Sequence, residues 1–166
     1  MSMLVMMNVT GTKKICLLFI ATARKPQCFR KEGQELGLWY FYNKKAWMTG
    51  EVFANALEEL NARMKRMNWK ILLLLDNFSR HRWCEENITD IKMLFFSPNL
   101  MPFIQPADAG IICCLKAIFQ KLILYQLLDC EDTGDKDIFA INQLEVMQLL
   151  EEAWKCVKQS MIANCW

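Results

Sequence analysis

The tightest constraint on the fold is a short run at residues 70–75. Lys70 is followed by Ile71, Leu72, Leu73, Leu74 and Leu75, and the run stops at Asp76. So brief an aliphatic stretch, with no polar residue inside it, is too short for an ordinary helix and lacks the alternation of a half-solvated strand. It predicts a strand buried on both faces, the kind found inside an α/β sheet. A second strand of this kind is expected at residues 91–96, stopped by Ser97, Pro98 and Asn99. Ahead of the first, Thr49 can cap a helix in which Val52, Phe53, Ala56, Leu57, Leu60, Met64 and Met67 recur on one face.

The remaining elements follow from the same kinds of signal. Met3 to Met7 and Ile15 to Ile20 are apolar and flank Asn8-Val9-Thr10-Gly11-Thr12, which predicts a β-hairpin. Lys13-Lys14, the second apolar segment and Ala21-Thr22-Ala23 imitate a secretory signal. That apolar stretch is short and has another just before it, so the hairpin is preferred. A short strand is expected at residues 38–42. Beyond a loop carrying Pro102 and Pro106, an amphipathic helix begins near Asp108 and buries Ile111, Leu115, Ile118, Phe119 and Leu122. Residues 129–137 are acidic and read as a loop. Asn142 with Glu145 resembles a capping box and opens a last helix through Leu144, Leu150, Trp154 and Val157. The order of elements predicts a mixed α/β layer fold without repeats or a second domain.

Composition narrows the class. With 166 residues, 54% hydrophobic, and only 6 Gly and 4 Pro, the chain excludes linker-like and disordered architectures. Its uninterrupted apolar runs fall short of the roughly 20 residues that cross a bilayer, so no membrane partner is expected. Eight cysteines accompany a single histidine, no C-x-x-C occurs, and His81 with Cys84 is the nearest approach to a metal-ligand spacing. The thiols are read as reduced and structural, in the cytosol or nucleus. The net charge of +2 conceals a division: through Arg82 there are 14 Lys/Arg against 6 Asp/Glu, and beyond it 6 against 12. A solvated surface accounts for such asymmetry, and so does an anionic partner for the first half.

Two carboxylates stand out by position. Asp76 closes a buried strand, and ligands of open α/β sheets bind beyond the strands' carboxyl ends. Asp108 begins a helix, whose dipole favours an ionised carboxylate. Together they could hold a divalent cation, since Mg²⁺ takes oxygen ligands and often only one or two carboxylates. The plainer reading is that Asp76 starts a turn with Asn77 and Asp108 caps its helix. A phosphoacceptor role for Asp76 is disfavoured, because no acidic pair precedes it. His81 is either a base near Asp76 or, between Arg80 and Arg82, an exposed or phosphate-contacting residue. No serine or cysteine nucleophile motif occurs.

Six strings occur in order: Asn8-Val9-Thr10-Gly11-Thr12-Lys13; Arg24-Lys25-Pro26-Gln27-Cys28-Phe29; Asn43-Lys44-Lys45-Ala46-Trp47-Met48-Thr49; Leu72-Leu73-Leu74-Leu75-Asp76-Asn77 with His81; Gln105-Pro106-Ala107-Asp108-Ala109-Gly110; and Asn164-Cys165-Trp166. Across nearly the whole chain they resemble the DDE-type transposase domain of the pogo/Tigger group, which includes the jerky and centromere-protein-B relatives. The resemblance implies an RNase H-like mixed sheet flanked by helices. In that fold three acids bind two Mg²⁺ ions for DNA strand cleavage and transfer. Asp76 corresponds to the second acid and Asp108 to the third, as catalytic and metal-binding residues.

The first acid of that pattern has no counterpart here, nor do the family's helix-turn-helix regions. The expected fold is therefore a partial domain lacking its first, central strand, with exposed sheet edges open to self-association. Its metal site would be incomplete, and catalysis by the chain alone is not expected. Weak, non-specific DNA contact through Lys13, Lys14, Lys44, Lys45 and Arg80, in the nucleus, is the expected residual activity. The rival expectation is a non-catalytic protein-interaction module.

Overall fold

In the computed structural model of the chain, which describes residues 1–29, 36–76, 88–96, 105–133 and 141–166, Asn8 organises the first turn. Its Nδ2 donates to Thr10 Oγ1 at 3.1 Å and Thr12 Oγ1 at 2.8 Å, and its Oδ1 accepts the Lys13 N–H at 2.9 Å. β1 (Ser2–Leu4) runs antiparallel to β2 (Leu18–Ala21), with Met3 opposite Phe19 and Leu4 opposite Leu18. Nearer the turn Met7 bridges Lys14. Leu4 to Met7 is three steps and Leu18 back to Lys14 is four, so the second arm carries one extra residue, a bulge.

The bulge frees backbone groups from the ladder, and a helix takes them up. The Leu17 N–H donates to Glu151 Oε1 at 2.8 Å, and the Ile15 carbonyl accepts from Trp154 Nε1 at 2.8 Å. Both partners lie on α3 (Gln143–Cys156), which opens with the expected capping box between Asn142 and Glu145. Lys14 closes the other end of α3. Its Nζ donates to the carbonyls of Trp154, Lys155 and Val157 at 2.7, 2.8 and 2.8 Å, and it lies 5.3 Å from the Trp154 ring centroid. The last carbonyls of a helix have no intrahelical partner and carry partial negative charge, so an ammonium there is favoured.

β3 (Trp39–Tyr42) pairs parallel with β2, Leu18 opposite Trp39 through Ala21 opposite Tyr42, which makes the three-stranded sheet mixed. Alternation sends Leu17, Phe19 and Ala21 to one face, where they pack with Tyr40, Phe29, Ile111, Leu115, Met147 and Trp154. α2 (Ile112–Thr133) and α3 pack on each other over this core, and the short α4 (Gln159–Ala163) follows. The hairpin turn sits directly on α4. Gly11 has φ +68°, and a Cβ there would lie 2.7 Å from the Gln159 carbonyl oxygen. These segments, Met1–Ala46 with Pro106–Trp166, form one compact unit.

The second unit is Trp47–Gln105. Its α1 (Gly50–Arg66) is capped by Thr49 Oγ1, which accepts the Val52 N–H at 3.3 Å, and Arg63, Lys65 and Arg66 occupy its last turn. Of the predicted stripe, Val52 to Met64 is buried, whereas Met67 lies at the C-cap and is 41% exposed. β4 (Ile71–Leu75) and β5 (Ile91–Phe95) pair parallel with Ile71 opposite Ile91. Asn61 on α1 fixes the start of β5 by accepting the Asp90 N–H at 2.9 Å.

Three sequence expectations need correction. β4 is not buried on both faces: Leu72 is 56% exposed and Leu94, on the same face of β5, 52% exposed. Among the described residues β4 pairs only with β5, and that face is open. The acidic segment is not all loop, because α2 continues to Thr133. Asp129, at the start of that stretch, is exposed on the helix. Finally, Ala107–Asp129 is long and apolar enough to cross a membrane by length and composition. Counting uninterrupted apolar runs missed it, since polar residues such as Lys116 and Lys121 interrupt the sequence without ending the helix. Ile111 and Leu115 are wholly buried in the core, while Leu124, Tyr125 and Leu128 are exposed.

Burial lowers the affinity of the Lys14 amine for its proton, an effect partly offset by Cys156. Burial holds the Glu151 carboxyl above the usual carboxylate range, against the opposing pull of the Leu17 N–H and of Lys155. Replacing Lys14 by Met should leave three carbonyls without their cation and lower the unfolding free energy by about 2 kcal/mol in a denaturant titration. Gly11→Ala should cost a similar amount, about 2 kcal/mol, through its positive φ and the Gln159 contact. For Glu151 the folded state keeps its proton to higher pH than the unfolded chain. Stability therefore falls as pH rises from the ordinary carboxylate range through the raised folded value. Melts across that window should show this decline in the unsubstituted protein and its loss in Glu151→Gln, which keeps an oxygen for the Leu17 N–H.

Candidate nucleic-acid and metal site

Asp76 is delivered by β4. The strand ends at Leu75, whose carbonyl accepts the Phe96 N–H at 2.9 Å, so the parallel ladder is closed right up to the aspartate. Asp76 is half-buried and its Oδ1 is shut off from solvent. This is the carboxyl end of a parallel pair, where α/β sheets place ligand-binding groups.

Asp108 is delivered by a widened turn. Residues Ala107–Ile111 form a widened turn that kinks at Gly110, whose backbone is extended (φ 175°, ψ −21°), and leads into α2; the buried Pro106 precedes it, and the Ile112 N–H reaches back to the Ala107 carbonyl. Asp108 lies in this first turn and is exposed. The turn is held from behind by the C-terminal string: a Cβ on Gly110 would come within 3.3 Å of Cys165 Sγ, which itself contacts the Met161 carbonyl at 3.2 Å. A side chain at Gly110 would press on that sulfur.

Asp76 belongs to the second unit and Asp108 to the first. Their oxygen donors are of the type that Mg²⁺ takes. Among the described residues no three His, Cys, Asp or Glu side chains gather into a cluster for a cation.

The basic candidates divide. Lys13 is exposed at the hairpin arm, and its backbone is fixed by Asn8. Lys44 and Lys45 are exposed on a tight turn in which Asn43 accepts the Ala46 N–H at 3.0 Å and, through Oδ1, the Lys45 N–H at 3.1 Å. Ala46 completes the turn with φ 52° and is buried. Lys14 must be withdrawn from the phosphate contacts expected of it: all three of its N–H donors point at α3 carbonyls, which leaves none for a phosphate. Arg80 and His81 lie outside the described residues. The sequence alone assigns no role to Arg24 and Lys25. Both are exposed immediately after β2, and their proximity to the Lys44 turn depends on strand pairing that no local signal reveals.

Comparison with known proteins places these features in a family. The chain matches, over residues 1–166, the family described as DDE superfamily endonuclease. It is 24% identical to Tigger transposable element-derived protein 4 of Mus musculus and 27% identical to Tigger transposable element-derived protein 7 of Homo sapiens, each over 96% of this chain. It is 23% identical, over its whole length, to the Major centromere autoantigen B of Mus musculus. The chain spans 30%, 33% and 27% of these relatives. No solved structure matches it. The mixed sheet flanked by helices is the RNase H-like architecture, and this chain belongs to the DDE superfamily endonuclease family, in its Tigger and centromere-protein-B-like branch.

Proposed function

We propose that this chain is a transposase-derived DDE domain that associates with DNA in the nucleus and is catalytically incomplete when acting alone. The observation that carries the reading is the family match over the full chain together with the positions of its two acids. Asp76 follows a parallel strand and Asp108 lies in the first turn of a helix. Asp76 and Asp108 would be the ligands of Mg²⁺, which when bound supplies charge stabilisation for in-line displacement at a phosphodiester. Held by these two carboxylates alone, such an ion would be bound weakly, and the displacement would lose most of its electrostatic support. DNA contact falls to Lys13, Lys44, Lys45 and Arg80, on the half of the chain that carries the excess positive charge. Nuclear residence is the setting in which a relative named for the centromere would act.

A second reading, a non-catalytic protein-interaction module, draws on the exposed Leu124, Tyr125 and Leu128 of α2 and on Leu72 and Leu94 of the open sheet face.

One titration separates the outcomes. Supercoiled DNA incubated with the chain and increasing Mg²⁺ or Mn²⁺ is expected to remain intact while bound, with affinity falling steeply as salt rises. Nicking that disappears in both Asp76→Ala and Asp108→Ala would overturn catalytic incompleteness. Undetectable or salt-insensitive DNA binding would favour the interaction module.

A further inference from the structure

We propose that Cys165 is a positioning residue for Asp108: its sulfur seats the turn that carries the aspartate, and so sets how tightly the chain holds a divalent cation. The inference rests on the reading of Asp108 as a Mg²⁺ ligand and names the group that holds it in place.

Asp108 is exposed, and its placement depends on the backbone to either side. Before it Pro106 is buried, and after it Ile111 is wholly buried in the core. Between the aspartate and Ile111 the chain kinks at Gly110, and the turn closes through the Ile112 N–H on the Ala107 carbonyl. A bond that spans five residues stands off the regular four-residue ladder of a helix. Packing from behind is then what holds such a turn in one conformation.

Cys165 supplies that packing. Outside its own helix, a Cβ built on Gly110 would meet one group within 4 Å, the Cys165 sulfur at 3.3 Å. Gly110 has φ 175°, away from the left-handed region that favours glycine, so the position uses its small size. The sulfur is itself fixed. The Cys165 N–H donates to the Ile162 carbonyl at 3.1 Å, and Sγ, a weak donor, lies 3.2 Å from the Met161 carbonyl. Ile162 is wholly buried, and the hairpin turn rests on it: a Cβ on Gly11 would lie 3.0 Å from the Ile162 Cβ. The core and the hairpin thus fix α4, α4 fixes Cys165, and the sulfur passes that position to the Asp108 turn. Groups that orient a metal ligand from behind change metal affinity by about 10- to 100-fold when removed.

The test titrates the 166-residue chain with Mn²⁺ and reads the free ion by electron paramagnetic resonance, taking the part of the binding that Asp108→Asn removes. Gly110→Ala presses a methyl on the sulfur and Cys165→Ala removes the sulfur; each should weaken that binding about tenfold. In the Gly110→Ala/Cys165→Ala pair the new methyl takes the space the sulfur left, and affinity should return to within about threefold of the parent. Cys165→Ser, which keeps a donor for the Met161 carbonyl, should also stay within about threefold. Lys14→Met, which lowers stability away from this turn, should leave the Mn²⁺ affinity unaltered, and circular dichroism melts check that every variant is folded at the titration temperature. Parental affinity in either single variant, or a pair that loses as much as the two singles together, would overturn the role of Cys165 and leave Asp108 standing as a ligand. Binding that Asp108→Asn does not change, or none by the parent chain, would overturn both readings.

Discussion

The first unit depends on one ammonium group. Lys14 reaches across the chain to the carbonyls of residues 154, 155 and 157, and in doing so fixes the hairpin arm against the end of α3. Three carbonyl acceptors offset the desolvation that burial imposes on the cation. Glu151 and Trp154 add two further bonds to the bulged segment, at Leu17 and Ile15. A slip of one residue in this arm would turn Leu17 and Phe19 away from the helices. The same slip would remove Lys14 from its carbonyls, so polar and apolar contacts specify one register. The fixed arm then presses Gly11 onto α4.

Signals that act within a few residues were legible in the sequence. Thr49, the Asn142–Glu145 box, the spacing of Val52 to Met64 and the Asn8 turn each encode their element locally, and each is realised. What the sequence hid was long-range or collective. Nothing near Lys14 distinguishes a solvated lysine from one whose donors all point at carbonyls far along the chain. The open face of β4 is a property of how few strands pair with it, so an aliphatic run alone could not reveal that Leu72 is exposed. The helical path of residues 129–133 was masked by acidic composition, which biases toward a loop only where no preceding helix propagates.

The strings that carried the family resemblance prove to be largely backbone devices. Asn8, Thr10 and Thr12 bond one another around the hairpin turn, Asn43 and Ala46 shape the Lys44 turn, and Gly110 leaves space for Cys165. Such devices serve the fold whatever its chemistry. Family membership and catalytic competence are therefore separable properties, carried by different residues. The two acids were legible as strand-end and helix-start positions, but their companions as metal ligands were not, because a ligand set is defined in space and not by spacing.

Charge shows the same separation between amount and arrangement. The excess of positive charge in the first half is plain from composition, but composition says nothing of where it is concentrated. Direction of pairing decides that. Were β3 antiparallel to β2, the Lys44–Lys45 turn would emerge at the opposite end of the sheet from Arg24 and Lys25, and the cations would be two isolated pairs. Parallel pairing in register is thus what brings these two turns to one edge of the sheet.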